Sequence, residues 1–326
     1  MTKSPPLVLI IDDNVGMRLD RWLRKRYPAL RQGMIEKLVR QGKIRLNGYK
    51  VESGTRLEEG QVLTAPPEIT ILTEDTAPQP IVKKYELKQA DRHLIESNIL
   101  WEDDDLLVLN KPHGLAIQGG NKISQSLDKM LESYGEEKKT RYRLVHRLDR
   151  YTSGVCLIAK NQATAAHLTQ CFREGLIEKT YWAVVLSQPH PDHGVIRQKL
   201  VKGELGDREK VYVDEKHGKL AITRYRTIKK LNKRKFPDLS WLELYPETGR
   251  THQIRVHCQF LGTPIIGDGK YGGREAVDAS NDLHLHARSI KMKDRYGNKF
   301  EFVAPPPAHF NDTLRRYGVE WSQYVR

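Results

Sequence analysis

An interruption sets the architecture open to this chain. From about residue 66 to residue 96 the apolar periodicity lapses. Pro66-Pro67, Pro78 and Pro80 punctuate the stretch, and Lys83, Lys84, Lys88 and Arg92 charge it. Proline removes a backbone donor and biases the preceding residue away from helix, so such a stretch reads as a linker. The chain must then build two cores rather than one, and 326 residues suffice for both. We expect a small N-terminal module over residues 15–75, a linker over 76–98 and a large domain over 99–326, with residues 69–72 staying in the first module.

The N-terminal module is basic. Residues 1–65 hold 13 Lys or Arg against 7 Asp or Glu, and the whole chain holds 55 against 41, a formal net charge of +14. A field of that sign favours a polyanionic partner. Leu19, Trp22, Leu23 and Tyr27 recur at helical spacing until Pro28 stops them, and a second short helix carries Ile35, Leu38 and Val39 on one face. Gly42 ends that helix, residues 43–46 alternate as a strand, and Asn47-Gly48 makes a tight turn. Two basic helices, a strand and a turn allow plain packing with solvated faces, but the arginine density favours an RNA-binding surface.

Other classes fall away. Apolar runs such as 106–109 and 155–159 are far too short to span a bilayer, and Asp12 and Asp13 break the first apolar stretch, so neither a membrane protein nor a signal peptide is expected. Three cysteines, Cys156, Cys171 and Cys258, form no CxxC pair, which argues for a reducing, cytoplasmic setting and against structural zinc. No heptad seam is visible, so a monomer is the default expectation.

The rest of the chain reads as one large α+β region. Residues 106–110, 155–159 and 181–186 are buried strands, 162–174 an amphipathic helix, and 241–245 an alternating strand. With no βαβ repetition and no glycine-rich dinucleotide turn, a mixed or antiparallel sheet is expected over a doubly wound one.

The densest polar cluster is Leu144-Val145-His146-Arg147-Leu148-Asp149-Arg150-Tyr151-Thr152-Ser153-Gly154, which leads into the apolar run 155–158. It is a loop between structured flanks, where functional groups concentrate. Asp149 lies between two arginines whose charge keeps it ionised, and such a carboxylate can act as nucleophile or base while the arginines hold a phosphate backbone. The alternative is a structural Asp–Arg pair with Thr152 and Ser153 capping the turn. The residues alone leave both open.

A second cluster runs from Tyr245 through Thr248-Gly249-Arg250-Thr251-His252-Gln253-Ile254-Arg255-Val256-His257. Thr251 is placed to cap a helix reaching Leu261. On it Ile254, His257, Cys258 and Leu261 share a face, which makes His257 a core histidine. Arg255, in the first turn with His252, can project toward Asp149. Zinc on His252 and His257, with His284 and His286, is disfavoured by the spacing and by the lack of HExxH. Tyr181 opens a strand within Lys179-Thr180-Tyr181-Trp182, either as sheet packing or as a ring for a flipped base. Lys111-Pro112-His113-Gly114 reads as a rigid loop near the site. Gly267-Asp268-Gly269-Lys270-Tyr271-Gly272-Gly273 lacks the Walker spacing of a phosphate loop. Residues 224–235 hold seven basic residues and no acidic one, an RNA contact or a solvated hairpin tip.

These motifs together resemble the pseudouridine synthases that modify ribosomal and transfer RNA, above all the bacterial large-subunit ribosomal RNA branch with an N-terminal S4 domain. His146-Arg147-Leu148-Asp149 with Thr152-Ser153-Gly154 is similar to the family's HRLDxxTSG. Glu178-Lys179-Thr180-Tyr181 looks like its tyrosine segment. The run Thr248 through His257, followed by Gly262, Pro264, Ile265 and Gly267-Asp268, completes the pattern. Arg18-Leu19-Asp20, and residues 37–48, resemble the S4 domain. Tyr151 departs from the family, standing where an acidic or small residue is common, as does Cys156, where an aliphatic one is usual.

The resemblance implies an α+β fold with a central mixed, mainly antiparallel sheet, and the isomerisation of uridine to pseudouridine without cofactor or metal. It implies Asp149 as the catalytic carboxylate, Tyr181 stacked on the target base, and Arg255, or else Arg250, paired with Asp149. Arg147, His146, Arg250, His252, Thr152 and Lys179 would contact the substrate. Arg18, Arg31, Lys37, Arg40, Lys43 and Arg45 would contact RNA from the S4-like module. The implied partner is large-subunit ribosomal RNA, during ribosome assembly. Transfer RNA is the alternative substrate, and a catalytically silent ribosomal-RNA-binding or ribosome-assembly protein is the alternative class.

Overall fold

The computed structural model describes residues 6–11, 16–67, 69, 85–119, 125–205 and 208–324. The chain divides into two compact units, 1–84 and 85–326.

In the first unit, β1 (Leu7–Ile10) pairs with β4 (Val62–Ala65), which also pairs with β2 (Arg45–Leu46), itself paired with β3 (Tyr49–Lys50); all of these pairs are antiparallel. Helices α1 (Leu19–Arg26) and α2 (Gln32–Arg40) pack on that small sheet. The helical spacing buries Leu19, Trp22, Leu23 and Ile35 in one core with Ile44, Leu57 and Leu63. Asn47 and Gly48 both take positive φ, the geometry of a two-residue hairpin turn. β1 and β4, which close this sheet, lack strong alternation and escape a reading by period.

The second unit starts earlier than the linker boundary at residue 98 implies. Helix α3 (Gln89–Glu96) occupies much of that stretch. The Tyr85 hydroxyl donates to the Asp91 carboxylate at 2.7 Å, and Ile95 is fully buried, so the charged sequence hides a helix with an apolar face. Residues 76–84 of the expected linker, and residues 70–72, lie outside the described residues.

The elements that follow are β5 (Ile99–Glu102), β6 (Leu106–Lys111), α4 (Leu127–Glu137), β7 (Arg143–Leu144), β8 (Ser153–Ala159), α5 (Gln162–Glu174), β9 (Glu178–Leu186), β10 (His193–Leu205), β11 (Arg208–Val213), β12 (Lys219–Leu231) and β13 (Leu239–Pro246). After them come α6 (Gln253–Phe260), α7 (Gly273–Ala279), β14 (Leu285–Lys293), β15 (Lys299–Val303) and α8 (Ala308–Arg316), then a 3₁₀ turn (Trp321–Tyr324). Eleven strands form one sheet in the order β11-β10-β12-β13-β9-β14-β8-β6-β5, with β15 beside β14 and β7 beside β8. Every pairing is antiparallel except β14 with β8, so the sheet is mixed and mainly antiparallel.

Burial on both faces explains the continuous apolar runs of β6 and β8. Leu107, Leu109, Cys156 and Ile158 face one cluster with Met130, Leu131 and Tyr134 of α4. Leu106, Val108, Val155 and Leu157 face the other with Leu168 and Cys171 of α5. All three cysteines are free and buried. Among the described residues no helix is long and apolar enough to cross a membrane.

Candidate active site

The loop that carries Asp149 is shaped by how β8 begins. β7 pairs with β8 for two residues only, Arg143 opposite Ala159 and Leu144 opposite Ile158. Past that point the imidazole of His146 takes the place of a strand. Its Nε2 accepts the Leu157 amide at 2.8 Å, and its ring stacks on Phe172 at 4.6 Å between centroids. Burial pushes its pKa down to about 3, which keeps the accepting nitrogen free of a proton. His146 therefore braces the loop, and it also lines a cavity at that loop, where the resemblance implies a substrate contact.

Thr152 closes the turn, its amide donating to the Asp149 carbonyl at 3.0 Å and its side chain buried. Gly154 follows with φ at +111°. A Cβ there would stand 2.2 Å from the Ala287 carbonyl oxygen, because β8 meets β14 in parallel at this point. Beneath the loop, Lys111 is fully buried. Its ammonium donates to the carbonyls of Pro112, Leu115 and Arg150 at 2.9, 2.8 and 3.1 Å, tying the end of β6 to the Asp149 loop. Burial pushes the Lys111 pKa down to about 8, against the pull of Cys156 and Asp149.

Two side-chain nitrogens approach Asp149 from the start of α6. Arg255 Nη1 and His252 Nε2 each make their nearest approach to the same oxygen, Oδ2, at 3.7 Å. That is wider than a hydrogen bond but close enough for strong electrostatic coupling. Arg255 is 8% exposed and is held by a bidentate pair, Nε and Nη2 donating to Asp268 at 2.8 and 2.7 Å. Asp268 also accepts the amides of Lys270 and Tyr271, each at 3.0 Å. Burial opposes both charges, but their pairing outweighs it, so Arg255 stays above its ordinary range and Asp268 below its own. The amides of residues 270 and 271 thus serve a carboxylate within the loop, which excludes its reading as a phosphate cradle. Arg250 turns away, its Nε donating to the Leu220 carbonyl at 3.2 Å. Of the two arginines considered, Arg255 is the neighbour of Asp149.

His252, rather than the expected Thr251, sits at the helix N-cap, with φ 53° and ψ 18° in the left-handed region. Its Nδ1 lies 2.8 Å from the Tyr271 hydroxyl, which accepts the Val211 amide at 3.0 Å. Burial lowers the His252 pKa and Arg255 and Lys270 reinforce that, while Asp149 pulls the other way; the ring is neutral near pH 7.

Tyr181 packs from β9 against clusters on both sides of the sheet's centre. Burial, then Asp149 and Cys156, raise its phenol pKa far above the ordinary value, so the phenol keeps its proton. Lys179 lies two residues earlier on the strand, and burial lowers its pKa. Two cavities, of about 570 and 670 Å³, meet at the loop and share Arg147, Leu148, Asp149, His252 and Arg255 in their walls. Ile117, Tyr151 and Lys270 line the first alone; Lys179, Tyr181 and Arg250 line the second alone. Arg147 is exposed at the shared rim.

The other three histidines weighed as zinc ligands have structural partners. His257 Nδ1 lies 2.9 Å from the Thr223 hydroxyl, His284 meets the Asp282 carbonyl and the Thr313 hydroxyl, and His286 bridges Ser153 and the Ala304 carbonyl. Among the described residues no group of three or more His, Cys, Asp or Glu is placed to hold a metal ion.

The basic residues sort in the same way. Along 224–235, Arg224 pairs with Glu247, Arg226 with Glu243 and Lys230 with Asp192, so three of the seven basic residues are neutralised. In the first unit, Arg18 grips the Asp20 carboxylate and Arg45 donates to the carbonyls of Gly42 and Gly48. Arg31, Lys37, Arg40 and Lys43 stand exposed, with no side-chain hydrogen bond or ion pair among the described residues. Lys111, Asp268 and Tyr271 carry the site's framework; the sequence marks Lys111 as part of a rigid loop, Tyr271 as part of a poor phosphate motif, and Asp268 through the family resemblance, without assigning any of them a role.

Residues 105–260 match the RNA pseudouridylate synthase family and residues 17–63 the S4 domain. The chain is 36% identical over 312 residues to the ribosomal large subunit pseudouridine synthase C of Rickettsia bellii, covering 94% of this chain and 99% of that protein. It is 34% identical over 313 residues to the protein of the same name from Vibrio cholerae, covering 94% and 95%. Human RNA pseudouridylate synthase domain containing 4 superposes with a TM-score of 0.57 at 27% identity, over 71% of this chain and 96% of that one. With identity of this order sustained from end to end, and an acid, an arginine and a tyrosine gathered on one cleft, the chain belongs to the RNA pseudouridine synthase family and carries an S4 domain in its N-terminal part.

Proposed function

We propose that this protein isomerises uridine to pseudouridine in large-subunit ribosomal RNA, with Asp149 as the catalytic carboxylate. The substrate is the one named for the relatives from Rickettsia bellii and Vibrio cholerae, which match almost from end to end. One observation carries the assignment of Asp149: among the described residues it is the only acidic side chain common to the walls of both cavities. The reaction breaks the N1–C1′ bond, turns the freed uracil and joins C5 to C1′. The C5 hydrogen leaves as a proton and N1 gains one, so the composition of the nucleotide is unchanged.

Such chemistry needs one ionised carboxylate and a pocket that retains the base. Arg255, fixed by Asp268, holds the Asp149 charge in a partly dry site. Tyr181, a protonated phenol, offers its ring as a wall for the base and is not a resting base itself. Arg147 enters the RNA at the space left by the extruded nucleotide, whose unstacking costs a few kcal/mol. Lys179, Arg250, His252 and Thr152 complete the substrate side. Arg31, Lys37, Arg40 and Lys43 of the S4 domain hold phosphates without reading sequence. Three free, buried thiols suit a reducing compartment.

The test is a map of pseudouridine in ribosomal RNA from cells lacking the gene, by carbodiimide labelling and primer extension. Large-subunit signals should vanish and return with the wild type but not with Asp149→Asn. Intact ribosomal signals would move the substrate to transfer RNA, and rescue by the Asn variant would remove Asp149 from the chemistry.

A further inference from the structure

Tyr271 belongs to no part of the mechanism so far, yet it touches both groups that face Asp149. Its ring lies under the Arg255 guanidinium, 5.0 Å from Cζ to the centroid, and its hydroxyl is 2.8 Å from His252 Nδ1. The hydroxyl has a second partner. β11 is the edge strand of the large sheet, and the Val211 amide on it donates to the Tyr271 oxygen at 3.0 Å, in a buried position. Leu200, Val211, Ala221, Val256 and Tyr271 form the small core that seats this edge on α6.

We propose that Tyr271 is a positioning residue that locks His252 as its Nε2–H tautomer, so that a hydrogen-bond donor rather than a lone pair faces Asp149. A phenolic oxygen has one hydrogen and one well-directed acceptor site. The Val211 amide occupies the acceptor site, so the hydroxyl hydrogen is directed to His252 Nδ1. Leaving it unmet in a buried site would be unfavourable. Burial also keeps the phenol protonated, raising the pKa of Tyr271. An imidazole that accepts at Nδ1 and is neutral carries its proton on Nε2, the atom 3.7 Å from Asp149 Oδ2. The opposite tautomer would set a lone pair against the carboxylate.

The backbone supports the same reading. His252 holds a left-handed φ of 53° at the start of α6, a conformation that side-chain-bearing residues keep only where the surroundings enforce it. The chain Val211–Tyr271–His252–Asp149 thereby makes the β10–β11 hairpin part of the active-site frame.

This inference rests on Asp149 being the catalytic carboxylate, and the test separates the two. Tritium release from [5-³H]uridine in transcribed 23S ribosomal RNA would be followed for the full chain. Asp149→Asn reports on the reading of the site. Tyr271→Phe keeps the ring under Arg255 and removes only the hydroxyl. It should lower kcat about tenfold with KM for RNA within about twofold. ¹⁵N spectra of labelled histidine should show His252 change from a single Nε2–H tautomer to a mixture. His252→Gln supplies an amide donor near the Nε2 position that needs no tautomer. In that background, Tyr271→Phe should cost less than about threefold. An equal loss in both backgrounds, an unchanged tautomer, or a wild-type kcat for Tyr271→Phe while Asp149→Asn is inactive would overturn the proposal.

Discussion

In the S4 domain, Arg31, Lys37, Arg40 and Lys43 stand exposed with no ion pair among the described residues, whereas in the catalytic unit Arg255 is gripped by Asp268, Lys111 by three carbonyls, and Arg224 and Arg226 by glutamates. The same residue types carry the same formal charge, but they act differently. Unpaired surface cations can exchange counterions for phosphates, a sequence-independent attraction that salt weakens. Paired and buried cations have fixed positions and serve to orient other groups, here one carboxylate and its loop. Net charge therefore identifies the kind of partner, while the partnering of each cation identifies its task.

Substitutions can separate these two uses of charge. The deepest loss should come at the centre of the catalytic unit. Asp149→Asn should lower pseudouridine formation by about 10⁴-fold while leaving RNA affinity nearly unchanged. Affinity lost in parallel, in a filter-binding titration, would mean that Asp149 organises the RNA surface too.

Next is the grip on Arg255. Asp268→Ala leaves a buried guanidinium without its carboxylate and should cost about 3–5 kcal/mol in urea unfolding of the catalytic unit. A loss below about 1 kcal/mol would show that water or Asp149 replaces the lost partner.

In the S4 domain the pattern should invert. Replacing Arg31, Lys37, Arg40 and Lys43 together with Gln should weaken RNA binding by about 10–100-fold at moderate salt and flatten the salt dependence by about three counterions. Stability should stay within about 0.5 kcal/mol, since no partner is lost. Unchanged binding would move the RNA surface to another face of the domain.

The mildest difference is one of pH. Residues 1–84 contain no histidine, whereas the catalytic unit buries His257, His284 and His286, with pKa values pushed by burial down to about 4, 4 and 3. The unfolded chain binds protons near pH 6.5 that these native rings refuse, so stability rises with pH across this window and is lost on acidification from about 6.5 toward 4. Each ring should cost about 1 kcal/mol by pH 5.5. The catalytic unit should therefore melt at lower temperature at pH 5.5 than at pH 7.5, while the S4 unit holds steady. A parallel shift of both transitions in calorimetry would refute the assignment to histidines.

What is legible in the sequence follows the range of the interactions. The Asp149 loop is local: polar residues between apolar runs, with Gly154 required where two strands meet, so the cluster announces itself. The 162–174 helix matches to the residue for the same reason, since its period and its Asn161 cap lie within a few positions. Arg255 falls where the helix reading puts it, but only the fold chooses it over Arg250, because that depends on which guanidinium turns toward Asp149 and which toward the Leu220 carbonyl. Asp268, Tyr271 and Lys111 act across gaps of 13, 19 and 39 residues, to Arg255, His252 and Arg150. Nothing in local spacing marks such pairs. Strands β10 and β12 escape a reading by period, since the inward positions of β12 include Thr223 and Ala221, which break the apolar alternation a strand is recognised by.

The placement of the three thiols bears on rates. Cys156 lies in β8 just behind the Asp149 loop, Cys258 in α6 one turn after Arg255, and Cys171 in α5, while the first 84 residues have none. Burial pushes the Cys156 pKa up to about 12 and raises that of Cys258 as well, so neither is a reactive thiolate in the closed protein. An alkylating reagent can reach them only when the strand or helix that carries them opens. The rate of modification at Cys156 and Cys258 is thus a clock for the breathing of the catalytic centre, silent toward the S4 domain, and RNA seated in the cleft should slow it.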